Sequence, residues 1–139
     1  MDKKILFFSV LLLISIKGFS QNSIEGVWSI LKNPSMNGSV SRNLSWGTRD
    51  VSRNADLIID LHSDIPNIEI IQFSQNEIIN IKENENVVEI TFYFSRGNFN
   101  VIMICHFNDD GTMWIEHLKD GLTFFRTGED QIYYKIDEP

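Results

Sequence analysis

Val88-Glu89-Ile90-Thr91-Phe92-Tyr93-Phe94-Ser95 sets Val88, Ile90, Phe92 and Phe94 in strict alternation with Glu89, Thr91, Tyr93 and Ser95. Successive side chains of a strand point to opposite faces of a sheet, so this stretch predicts a strand with one apolar face. Arg96-Gly97-Asn98 turns the chain into a second run, Phe99 to Phe107. Asn108-Asp109-Asp110-Gly111-Thr112 then suits a type I turn followed by a left-handed glycine, a common three-residue hairpin loop. That register pairs Asn108 with Thr112, Phe107 with Met113, Cys105 with Ile115 and Met103 with His117. One face of the hairpin carries Val101, Met103, Cys105, Phe107, Met113 and Ile115 and is expected to face the interior. The other carries Ile102, Ile104, His106, Trp114, Glu116 and Leu118, apolar enough to expect a partial cover.

The same pattern extends in both directions. Leu57, Ile59 and Leu61 alternate with Asp56, Asp60 and His62 before Pro66, predicting a strand with one solvated face. Further strands are expected over Ile68–Phe73, Glu77–Lys82, Leu122–Thr127 and Ile132–Ile136. Residues 33–54 are rich in Ser, Asn, Gly and Arg, with turn signals at Asn33-Pro34 and Asn37-Gly38. They read as a long loop with one short strand over Val40–Trp46. No helical periodicity runs for a convincing length. Eight to ten short strands joined by tight turns make the chain all-β, an antiparallel up-and-down barrel, with a β-sandwich as the alternative.

Met1-Asp2-Lys3-Lys4, the apolar run Ile5–Ile16, and small residues at Gly18 and Ser20 form the three parts of a secretory signal peptide. Lys17 ends the apolar run well short of the ~20 residues a spanning helix needs. Residues 1–20 are thus expected to be a removed signal peptide and 21–139 a single domain, exported to a periplasmic or extracellular space. No stable membrane anchor is expected. Removing residues 1–20 lowers the basic count from 12 to 9 and the acidic count from 19 to 18, moving the net charge from −7 to −9. That balance excludes charge-driven binding of nucleic acid or an anionic membrane. Cys105 is the only cysteine, so no disulfide supports the domain.

Ile24-Glu25-Gly26-Val27-Trp28-Ser29-Ile30 places a Gly-x-Trp on the first strand of the mature chain. In an exported antiparallel β protein this resembles the opening of lipocalins and lipocalin-like, calycin-type bacterial domains. The resemblance implies that Trp28 closes the base of the barrel, with Gly26 allowing close backbone approach. It also implies a basic side chain from a late strand over the indole, and Arg126 is the candidate. A cation on an indole face is worth about 0.5–2 kcal/mol. The chain lacks the Thr-Asp-Tyr turn of the larger lipocalins, and it is shorter than they are.

Chemistry-bearing groups are sparse. Asp60, His62 and Asp64 at i, i+2 and i+4 would share one strand face and could hold Zn²⁺. The same pattern also fits a solvated strand end, so no metal is expected. Cys105 and His106 are neighbours on opposite faces of a strand and cannot act as a nucleophile–base pair. Glu25, Glu89 and Glu116 lie on separate strands, and no phosphate loop or nucleophile elbow appears. Asn37-Gly38-Ser39 and Asn43-Leu44-Ser45 fit the N-glycosylation pattern, which matters only in a eukaryotic secretory route. The aromatics Trp46, Trp114, Phe124, Phe125, Tyr133 and Tyr134 exceed the needs of one small core. The expectation is a non-enzymatic exported barrel, without cofactor, holding a small apolar or amphipathic ligand in its interior. The alternative is a protein–protein module (an inhibitor, immunity or envelope assembly factor) with an exposed patch around Ile104, Trp114 and Tyr133.

Overall fold

The computed structural model describes residues 24–71, 75–118 and 126–137. Ten strands follow one another: β1 (Gly26–Ser29), β2 (Val40–Leu44), β3 (Gly47–Val51), β4 (Leu57–Asp60), β5 (Asn67–Ile70), β6 (Asn76–Asn84), β7 (Val87–Phe94), β8 (Phe99–Phe107), β9 (Met113–Leu118) and β10 (Tyr134–Asp137). Eight of them form one antiparallel sheet in the order β10-β1-β4-β5-β6-β7-β8-β9. An isolated bridge between Met113 and Tyr133 brings the two ends together, with reciprocal N–H to carbonyl bonds of 3.1 and 2.7 Å. The result is a nearly closed up-and-down barrel, as the strand pattern predicts. The expected signal peptide at 1–20 lies outside the described residues, as do Phe124 and Phe125. Of the strand expected over Leu122–Thr127, only Arg126 and Thr127 are described, and neither is in a strand.

The alternating stretch behaves as its sequence demands. Val88, Ile90 and Phe92 are fully buried opposite Cys105, Met103 and Val101, while Glu89, Thr91 and Tyr93 are half-buried on the outer face. Leu57 faces Ile70 and Ile59 faces Ile68 across the opposite wall, all at 0% exposure. These side chains, Trp28 and Tyr133 pack as a single cluster. The Asn108–Thr112 turn closes with the expected Asn108 N–H to Thr112 carbonyl bond of 2.9 Å, and Gly111 has φ 86°.

Beyond Ile115 the expected register slips. A bulge between Ile104 and Cys105 in the pairing of β8 with β9 sets His117 opposite Ile104 and Leu118 opposite Met103. Glu116 is the extra residue, and a bulge of this kind shifts every later pair by one. A period-2 count cannot see it.

The larger departure is in residues 33–54. They hold a second hairpin, β2 with β3, forming its own two-stranded sheet inserted between β1 and β4. β3 escapes the sequence reading because Gly47-Thr48-Arg49-Asp50-Val51 buries only Val51. The hairpin lies on the outside of the barrel. Val51, Leu44 and Trp46 pack there against Val27, Ile58 and Ile136 in a second apolar cluster. Hence β1 and β4 are buried on both faces, and all four residues of each are buried.

Candidate functional site

Two parts of the barrel carry polar groups into shielded places: the surroundings of Trp28 and the flanks of the inserted hairpin. Trp28 is 1% exposed. Its Nε1 donates to the Ile24 carbonyl at 2.9 Å, and its ring meets Phe107 edge-on with centroids 6.1 Å apart. Gly26 has φ 142°, a backbone that side chains rarely adopt, which explains the glycine two residues before the tryptophan. The cation over the indole is Lys135, with Nζ 5.6 Å from the ring centroid. The expected partner, Arg126, is exposed. Its carbonyl accepts the Tyr133 hydroxyl at 2.9 Å, and its charge acts on Asp56. The cause is pairing: β10 runs beside β1 and sets Lys135 opposite Trp28.

One groove opens between the hairpin, the chain leaving β1, and β10. It measures about 360 Å³, with Pro34, Met36, Val51 and Ile136 supplying apolar surface and Lys32 and Lys135 the cations. Asp50 and Ser52 also line it.

A wider cleft of about 520 Å³ lies between the hairpin tip and the β4–β5 connection, lined by Ser45, Asp60, His62 and Asn67 among others. Here Asp60 is 3% exposed rather than solvated. It accepts from Ser45 Oγ at 2.5 Å and Ser45 N at 2.8 Å. Ser45 Oγ also stands 3.3 Å from Glu25 Oε1, and His62 Nδ1 meets Glu25 Oε2 at 2.5 Å. Further along the hairpin, Arg42 pairs with buried Glu69 at 2.7 Å. Burial pushes the Glu69 carboxyl above its ordinary pKa, opposed by Arg42. These contacts latch the hairpin to the barrel wall.

Asp60, His62 and Asp64 therefore do not share a strand face. β4 ends at Asp60, His62 turns to Glu25, and Asp64 is exposed. No group of three potential metal ligands converges among the described residues.

The expected interaction patch is divided. Ile104 and Trp114 lie half-buried on the outer wall, but Tyr133 is interior at 1% exposure. Trp114 stacks on His106 with centroids 4.1 Å apart and planes 8° from parallel, and His106 Nε2 meets Glu116 Oε2 at 2.5 Å. Cys105 is fully buried and burial pushes its thiol up to about 12, which keeps it from acting as a nucleophile.

Sequence reasoning missed the groove and the latch. Lys135 stands two residues after interior Tyr133, on the same strand face, while Ile136 joins the outer cluster, so a basic partner for Trp28 was visible there. Glu25 beside the Gly-x-Trp motif was visible too, but its partners come from distant loops. No protein family matches this chain, and no curated protein or solved structure is significantly similar to it.

Proposed function

We propose that this is an exported, non-enzymatic, lipocalin-like barrel protein that binds small amphipathic anions in the groove between the inserted hairpin and β10. The groove carries this reading: apolar side chains and two lysines line one concave space of about 360 Å³, within the usual range for small-ligand sites. In a mature chain with twice as many acidic as basic residues, Lys32 and Lys135 outnumber Asp50 in this hollow and give an anion a local place of attraction, with Lys32 the one not engaged over Trp28. The interior residues pack against one another as one cluster, which favours an external site over the barrel interior. The lipocalin-like assignment rests on the Gly26/Trp28 closure with a cation over the ring. Titrating the mature chain calorimetrically with a medium-chain fatty carboxylate and its uncharged alcohol tests the reading. The carboxylate is expected to bind more tightly, and Lys32→Glu to weaken it about tenfold, ~1.4 kcal/mol. Equal binding of the alcohol, or an affinity indifferent to both Lys32→Glu and Met36→Glu, would overturn it.

A protein partner on the outer wall is the second reading, favoured by Trp114. This ring is held flat against His106 beside half-buried Ile102 and Ile104, and pre-ordered tryptophans are frequent binding hot spots. Loss of a co-purifying partner on Trp114→Ser is the expected outcome, and retention counts against it.

A further inference from the structure

Asn37-Gly38 is the one place in the sequence where asparagine precedes glycine. The pair occupies the centre of the turn that leads into the inserted hairpin, closed by the Ser39 N–H to Met36 carbonyl bond of 3.0 Å. Both residues are exposed. Asn37 N–H donates to Ser35 Oγ at 3.2 Å, whereas its side-chain amide makes no hydrogen bond among the described residues.

We propose that Asn37 is a self-modifying site, converting to aspartate and isoaspartate through a cyclic imide. The Gly38 backbone nitrogen attacks Asn37 Cγ and forms an N–C bond. The Cγ–Nδ2 bond breaks, and ammonia leaves carrying the proton that Gly38 N gives up. Water then opens the imide at either carbonyl. Opening at one restores the ordinary backbone with a carboxylate, and opening at the other routes the backbone through the former side chain. Only water is consumed, and no electrons are exchanged.

Gly38 sets the rate because it presents no side chain beside the attacking nitrogen. Other positions lack one or another requirement. Asn33 precedes Pro34, which has no N–H to attack. Asn67 Nδ2 is tied to Ser63 Oγ and the Ile65 carbonyl at 3.0 and 2.9 Å. Asp110-Gly111 could form the same imide by losing water, but Asp110 Oδ1 is engaged by Thr112 Oγ1 and N at 2.6 and 3.0 Å. The new carboxylate arises at Asn37, one residue before Gly38, whose built Cβ would meet Arg53 Cδ at 3.5 Å. It also arises next to Met36 of the groove. If the groove reading holds, the converted form binds anions more weakly, but the conversion itself does not depend on that reading.

Incubation of the folded mature chain at physiological temperature and mildly alkaline pH, followed by peptide mapping, tests the proposal. The expected result is a peptide containing residue 37 that gains the mass difference between an amide NH₂ and a hydroxyl. It should become a substrate for isoaspartyl methyltransferase labelling, and an acidic charge variant should accumulate in step. Asn37→Gln is expected to abolish that variant while leaving the circular-dichroism spectrum unchanged. Conversion at Asn37 no faster than at Asn43 or Asn54 would overturn the proposal. So would an acidic variant that persists in Asn37→Gln.

Discussion

Replacing Trp28 with alanine removes a large ring from the barrel core. The indole is 1% exposed, and its removal from a packed core should cost about 3–5 kcal/mol. Trp28→Phe separates the components. It keeps most of the apolar volume but leaves the Ile24 carbonyl without its donor, a loss of about 1–3 kcal/mol for a buried polar group. Lys135→Met removes the cation over the ring, about 0.5–2 kcal/mol for a half-buried lysine over a buried indole. Arg126→Ala, at an exposed position, should stay within about 0.5 kcal/mol. In a domain with ~5–15 kcal/mol of total stability and no disulfide, Trp28→Ala leaves little margin. Urea unfolding followed by far-ultraviolet circular dichroism reads each cost without relying on tryptophan emission. The Trp28/Lys135 double mutant should be non-additive and the Trp28/Arg126 double mutant additive. A Trp28→Ala cost below about 1 kcal/mol, or coupling to Arg126 instead of Lys135, refutes this account of the Trp28 packing.

Burial raises the Asp56 carboxyl above its ordinary pKa, offset in part by the Ile30 N–H, Ser29 and Arg126. A raised carboxyl stabilises the fold below its unfolded pKa, and that contribution is lost as pH rises through the folded value. Wild-type stability relative to Asp56→Asn should therefore increase as pH falls from neutral into the carboxylate range, as measured by paired urea midpoints. Cys105 should resist a disulfide reagent at mildly alkaline pH in the native protein and react at once in urea; fast native labelling would contradict its place in the core. Ser45→Ala removes the hydroxyl donor from buried Asp60 and should cost about 1–3 kcal/mol. Faster hydrogen exchange across β2–β3 is expected with it, and unchanged exchange there would dissociate Ser45 from the latch.

The barrel is legible wherever one face of a strand is buried and the other is not. Val88 to Ser95 and the Asn108–Thr112 turn satisfy that condition, so strand, turn and the near part of the register follow from residue type alone. The condition fails at β4. Ile58 and Asp60 resemble a mixed or solvated face because the hairpin that buries them, although it directly precedes β4, carries no apolar pattern that shows it folding back over the wall. It fails again at β3, where four of five residues keep out of the core. Arg126 and Lys135 were both late basic residues, and their separation depends on which strand pairs with β1. The groove is made by three segments that share no motif. Its cations belong to ordinary lysines, which gain meaning only from what the topology sets beside them.

The bridge between Met113 and Tyr133 joins segments that are far apart in the chain. β1 pairs with β4 and with β10, so its seat is incomplete until the last strand arrives. Until then β1 and β9 present open edges to solvent, and Lys135 has not reached Trp28. The β4–β9 meander can form earlier, since each of its strands pairs with the next one made. A chain made from its amino end thus holds its first strand in waiting while the rest assembles, and unpaired edges in that interval invite pairing with other chains.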